Sequence, residues 1–172
     1  SLTTSLSATT FNELRGQYAK DSEPGQANSA APETLIQQGA FSFTIGRNNF
    51  SPRETTITRY QIADAATFLL GSHAVKGGFD WSRDLIVNWF PGNFSGSYTF
   101  NTVAAYDLQK PISYTQAFPG EGTSGPYTNP DLSELAFFLQ DEWHASRDLT
   151  VNLGVRYDKQ GIGQPTVRNP DE

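Results

Sequence analysis

From Leu149 the chain alternates without a break. Leu149, Val151, Leu153, Val155 and Tyr157 are apolar, while Thr150, Asn152, Gly154, Arg156 and Asp158 between them are polar or small. A period of two belongs to a β-strand, whose successive side chains point to opposite faces, and it predicts one apolar and one polar face. Just upstream, Leu135, Phe137 and Leu139 alternate with Glu134, Ala136, Phe138 and Gln140, and Trp143 closes the segment. Ala145-Ser146-Arg147-Asp148 lies between the two, short and polar enough for a tight hairpin turn. The design recurs twice. Leu2–Ser5 and Phe11–Lys20 flank Ser7-Ala8-Thr9-Thr10, and Thr55–Leu70 and Ala74–Val87 flank Gly71-Ser72-His73. Phe11–Lys20 also resembles Thr150–Lys159, with Tyr18 and Lys20 answering to Tyr157 and Lys159. Hairpins are expected over residues 2–20, 55–88 and 133–160.

The connections between hairpins are long. Residues 21–54 are rich in Ser, Pro, Gly, Gln and Asn, with one short strand predicted at Phe41–Ile45. Residues 90–132 carry clusters of Gly, Asn, Pro and Ser, with a helical turn predicted at Val103–Leu108. Structureless loops of such length are rare in compact domains unless they are functional. Short turns at one end and long polar loops at the other are the plan of a transmembrane barrel, with turns in the periplasm and loops outside the cell. The expected fold is therefore all-β: an antiparallel transmembrane β-barrel wall of about six strands of a larger barrel, one partial barrel domain spanning residues 1–172 with long extracellular loops. Aromatic placement agrees. Tyr18, Trp81 and Tyr157 each lie seven residues beyond a strand start, about 15–20 Å along a tilted strand, where an interface girdle is expected. Trp143, beside a short turn, is assigned to the inner girdle.

Composition sharpens this. A net charge of −6 argues against a nucleic-acid partner, which calls for a basic patch. Aromatic residues make up 13% of the chain, yet the mean hydropathy of −0.48 is that of a water-exposed protein. Strands that show lipid one face and water the other reconcile the two. No cysteine is present, which excludes disulfide frameworks, cysteine nucleophiles and the usual structural zinc sites. Apolar runs such as Ala65–Leu70 are far short of a spanning helix. The chain has neither a starting Met nor a signal sequence and reads as an excised or processed segment.

The residues themselves carry a resemblance. Phe137-Phe138-Leu139-Gln140-Asp141-Glu142-Trp143, followed by Arg147-Asp148-Leu149-Thr150-Val151-Asn152-Leu153-Gly154-Val155-Arg156-Tyr157, resembles the barrel signature of TonB-dependent receptors. The Oar-like subgroup, with its carboxypeptidase-regulatory-like domain, is the nearest type. Asn12-Glu13-Leu14-Arg15, Gly71–Asp80, and Tyr98-Thr99-Phe100 leading to Ala104, Asp107, Leu108 and Pro111 are similar to further parts of it, in family order. The resemblance implies a barrel of about 22 strands around a plug domain, opened by an inner-membrane TonB complex. Plug and TonB-contacting segment lie in regions absent from this sequence. Two departures stand out: Gly77 takes the place of a large lipid-facing residue, and the chain ends in Asp171-Glu172 where such barrels end in an aromatic.

Motifs that look catalytic do not survive inspection. Gly120-Glu121-Gly122-Thr123-Ser124-Gly125 has the spacing of a dinucleotide loop, but Pro119 and Pro126 bracket it where a strand and a helix are needed. Asp141 and Glu142 are neighbours on a strand, point to opposite faces, and cannot flank one glycosidic bond. Asp141 is assigned to the periplasmic end and Glu142 to the lumen. His73 and His144 read as turn residues without the further ligands a metal needs. No enzyme, cofactor or metal is expected. Lys76, Asp80, Arg156 and Asp158 fall on polar strand faces, which look into a barrel lumen. The expected function is that of an outer-membrane receptor or transporter segment that binds and translocates a bulky ligand. Tyr98, Tyr106, Tyr114 and Tyr127 in the loops are the candidate stacking residues. Its expected partners are outer-membrane lipid, the remaining barrel strands, the plug and the TonB complex. The alternative is a secreted soluble β-sandwich that binds carbohydrate or protein, with Phe137, Leu153 and Phe79 in a dry core.

Overall fold

A computed structural model describes residues 1–123 and 125–165. Ser124 of the glycine motif and the terminal Asp171-Glu172 lie outside the described residues. The chain divides into two compact units. Of the described residues, unit 1 comprises Ser1–Asp21, Ile57–Ile86 and Pro130–Gln164; unit 2 holds those of Ser22–Thr56 and Val87–Asn129, with Pro165.

Unit 1 is built on β1 (Leu2–Ser7), β2 (Thr10–Gly25), β5 (Arg53–Leu70), β6 (His73–Trp89), β10 (Leu132–Ser146) and β11 (Leu149–Ile162), of which β2, β5 and β6 run on into unit 2. They form one sheet in the order β1-β2-β5-β6-β10-β11, so β1 and β11 are its open edges. Two-residue turns join β1 to β2, β5 to β6 and β10 to β11. All lie at one end of the sheet, since Leu69 N–H donates to Thr9 C=O and His144 N–H to Ser72 C=O, each at 2.8 Å.

The ladder shows why the alternation matters. Phe137 sits opposite Tyr157 on one side and Phe79 on the other, and Leu139 opposite Val155 and Gly77. Leu135 is opposite Lys159 and Trp81. One face of β6, β10 and β11 is therefore mainly apolar between Lys159 at one end and the Asp141–His73 pair at the other. Leu139 leans over Gly77, 3.3 Å from where a Cβ would stand, and fills the gap in the apolar row. Across β10, Tyr157 and Trp81 are two ladder positions apart. That rise of about 5 Å is the size of offset that tilted strands produce over two strand widths. This apolar face is not packed: Leu153 is 62% exposed, Val155 67% and Phe137 50%. The sandwich alternative required Phe137 and Leu153 in a dry core, and their exposure sets it aside.

Unit 2 contains a second sheet, with β3 (Glu33–Gln38), β4 (Phe41–Ile45), β7 (Ser97–Phe100) and β8 (Ser113–Thr115) in the order β4-β3-β7-β8. The β3–β7 pairing is parallel and the other two antiparallel. A short helix, α1 (Val103–Asp107), is capped by the Thr102 hydroxyl, which accepts from Ala105 N–H at 3.0 Å. Ile36 and Phe100 are the buried apolar centre of this unit, 2% and 6% exposed. β9 (Tyr127–Thr128) pairs with the end of β6 at Trp89 and Asn88.

Gly78 marks the tightest approach in unit 1. A Cβ there would collide with the Asp64 carbonyl, the Ala65 backbone and the Phe138 ring. At Gly16 nothing lies within 4 Å. Gly78→Ala should therefore cost about 1–3 kcal/mol by overpacking, while Gly16→Ala should be neutral or slightly stabilising. Urea unfolding of the full-length protein in detergent, followed by heat-modifiable gel migration, checks both.

Candidate functional site

The polar face of unit 1 is a chain of charge-assisted hydrogen bonds. Arg59 grips Asp84 with two parallel bonds, Nε to Oδ1 at 2.7 Å and Nη2 to Oδ2 at 2.6 Å. Such a fork is among the strongest and most oriented polar contacts available. Gln61 Nε2 donates to both carboxylate oxygens of Asp80, at 2.9 and 3.0 Å. Gln160 Nε2 donates to Glu134 Oε1 at 2.9 Å. Arg156 Nε donates to Asp158 at 2.9 Å. Arg59, Gln61, Asp80, Ser82, Glu134 and Arg156 help line a depression of about 510 Å³ on this face. Lys76 lies on the same face, opposite Gln140, with no ion pair among the described residues. The Arg59–Asp84, Gln61–Asp80 and Gln160–Glu134 pairs tie neighbouring strands together, with Asp84 buried against its Arg59 partner.

Asp141 and Glu142 point to opposite faces, each toward its own histidine. His73 Nδ1 meets Asp141 Oδ2 at 2.6 Å and stacks on Trp143 with ring centroids 5.6 Å apart. His144 Nε2 lies 3.3 Å from Glu142 Oε1, and its Nδ1 lies 3.0 Å from the Thr150 hydroxyl. The two carboxylates share no substrate position. His73 is more than a turn residue: it is held on the apolar face between an acid and a ring.

In unit 2 the side chains of Thr34, Ile36, Tyr98 and Phe100 fall on one sheet face, because β3 and β7 pair Thr34 with Tyr98 and Ile36 with Phe100. α1 lies against β3 and β7, and Val103 N–H donates to Gln38 Oε1 at 3.0 Å. Tyr106 on the helix meets Phe100 edge-on at 5.3 Å. Tyr114 on β8 packs on Tyr98 at 4.6 Å. The Tyr114 ring occupies the space a Cβ would need at Gly96, whose φ of +75° is itself a glycine conformation. Between helix and sheet a cavity of about 660 Å³ is lined by Thr34, Ile45, Tyr98, Phe100, Tyr106 and Asp107 among others.

Of the four tyrosines expected to contact ligand, Tyr98, Tyr106 and Tyr114 thus form one group. Tyr127 does not join it; it stacks on Trp89 at 6.1 Å. Phe100, Thr34 and Asp107 belong to the group; the sequence pointed to none of them as a contact residue, although Phe100 and Asp107 are part of the resemblance. The spacing of Tyr98 and Phe100 by two was a usable signal for Phe100; nothing local pointed to Thr34.

A one-layer sheet with an exposed apolar face, a hydrogen-bonded polar face and open edges defines a stretch of transmembrane barrel wall. The chain belongs to the family described as outer membrane beta barrel domain, whose model matches residues 1–169. It is also similar to the TonB-dependent transporter Oar of Myxococcus xanthus, at 28% identity over 167 residues. That match covers 83% of this chain and 14% of the relative, so the chain spans a small part of the relative's length. No solved structure gives a significant match. The chain is therefore bacterial outer-membrane barrel wall.

In that setting the apolar face meets lipid and the polar face the lumen. Leu135, Phe137, Leu139, Val151, Leu153 and Val155 are lipid-facing by alternation and register, and Asn152, Gly154 and Arg156 face the lumen. Leu153→Arg should then cost about 2–4 kcal/mol of barrel stability, and Asn152→Arg little. Equal tolerance of the two in a urea titration of the full-length receptor would contradict the facing.

Proposed function

We propose that this chain is part of the wall of a receptor that binds a bulky ligand outside the cell and passes it across the outer membrane. The similarity to a protein named as a TonB-dependent transporter, running through most of the chain, is the observation that carries the reading. In this reading the loops at 21–54 and 90–132 are extracellular and make the first ligand contact. The lumen-facing pairs Arg59–Asp84 and Gln61–Asp80 stiffen the wall against which a plug domain rests. The remaining strands complete the barrel, and a TonB complex acts through segments outside this chain. The same similarity supports a non-enzymatic role.

The aromatic group of unit 2 is the proposed contact site. Tyr98 and Tyr106 line the cavity together with Thr34 and Asp107, a mixture of aromatic and polar groups that suits sugars, peptides and metal chelates alike.

Cells carrying the full-length receptor should accumulate one of three labelled probes: a maltodextrin, a tripeptide or a ferric chelate. Uptake should collapse with a protonophore. Tyr98→Ala combined with Tyr106→Ala should weaken half-saturation by about tenfold, as loss of aromatic anchors does, and Tyr127→Ala should not. Uptake of no probe above cells lacking the receptor would count against transport. Equal loss from Tyr127→Ala would count against the site.

A further inference from the structure

Three strands of unit 1 repeat one short pattern. Tyr18 is followed by Lys20, Trp81 by Arg83, and Tyr157 by Lys159, each with a single residue between. A spacing of two keeps ring and base on the same face of a strand. For all three that is the lipid-facing side. Tyr18 packs on Tyr60 at 5.4 Å, whereas its neighbour in sequence on β5, Arg59, turns to Asp84 on the lumen face. Trp81 and Lys159 both sit opposite Leu135, and Arg83 is opposite Ser133.

The bases also share an end. β2, β6 and β11 all run away from the short turns, so each base stands one step beyond its ring on the loop side. All three are exposed. Lys20 and Lys159 form no ion pair among the described residues, and Arg83 reaches only Asp131, at 3.9 Å. Two acids of the same face lie toward the turns, already engaged: Asp64 accepts from Asn12 at 2.9 Å and Asp141 meets His73 at 2.6 Å. The outward surface thus carries three exposed bases beyond the aromatic belt, one of them near Asp131, and two hydrogen-bonded acids toward the turns.

We propose that Lys20, Arg83 and Lys159 form a row that binds the phosphate groups of lipid headgroups in the leaflet on the loop side of the outer membrane. The rings sit at the depth where acyl chains give way to headgroups. A base one step further along the same face carries its charge into the headgroup layer, with its methylene stem along the apolar surface. Arg83 offers a planar fork to two phosphate oxygens, while the two lysines act as mobile point charges. The inference depends on the outer-membrane setting and on which face meets lipid, and it is independent of transport.

The full-length receptor in dodecyl maltoside micelles is titrated with lipid A, a diphosphorylated acylated disaccharide, and with its dephosphorylated form. Native mass spectrometry reads bound lipid. The phosphorylated form should bind more tightly, and each of Lys20→Gln, Arg83→Gln and Lys159→Gln should weaken it by about fivefold. Lys20→Arg with Lys159→Arg should retain it. Equal binding of both lipid forms, or unchanged binding in the glutamine variants, would overturn the proposal. So would displacement of the lipid by millimolar inorganic phosphate, which would mark a free-anion site.

Discussion

Everything in this chain depends on backbone pairing within a single layer of strands. A strand in hydrocarbon has no water to satisfy its N–H and C=O groups, so each must find a neighbouring strand. β10 shows the requirement met: it is paired over nearly its whole length with β11 on one side and β6 on the other. Once pairing is fixed, side chains have only two directions. One row meets lipid and the other meets water, without any second layer to bury them. That is why so few apolar side chains of unit 1 are buried, Ala63 and Ala136 being the ones in its sheet. The outer strands β1 and β11 leave the same requirement unmet at the two edges of the sheet.

The same constraint explains what the sequence revealed. Wherever a strand separates lipid from water, its residues must alternate, so Leu149–Tyr157 and Leu135–Leu139 announce their fold without any long-range information. Beyond the lipid zone the rule lapses. β2 continues to Gly25 through Asp21, Ser22 and Glu23, residues that read locally as loop. What extends them is a pair of distant contacts: the Ser22 hydroxyl donates to Glu54 at 3.1 Å, and Thr56 donates to Ser22. β3 is hidden for a related reason. Its parallel partner β7 lies some sixty positions on, and no local pattern encodes such a pairing. The segment Phe41–Ile45 was legible because Phe41, Phe43 and Ile45 alternate with Ser42 and Thr44.

The candidate sites divide along the same line. Lumen-facing charges were readable from alternation alone, but their partners were not: Asp80 is held by Gln61 and Asp84 by Arg59, from a strand some twenty residues away. His73 looked like a turn residue because its partner Asp141 lies 68 positions away in sequence. Tyrosine content pointed at the loops, yet only topology could show that Tyr98 and Tyr106 line one cavity, with Tyr114 packed on Tyr98, while Tyr127 stacks on Trp89 instead. Identity of residue types travels along the chain; grouping comes from the ladder.

The central claim is that successive residues of one strand face lipid and water in turn. The natural chain has no cysteine, so single cysteines placed in turn from Thr150 to Tyr157 report cleanly when the rest of the receptor is cysteine-free. A membrane-impermeant maleimide applied to outer-membrane fragments open to buffer on both sides should label positions 150, 152, 154 and 156 and spare 151, 153, 155 and 157. Labelling without a two-residue period, or protection of all eight positions, would contradict the account.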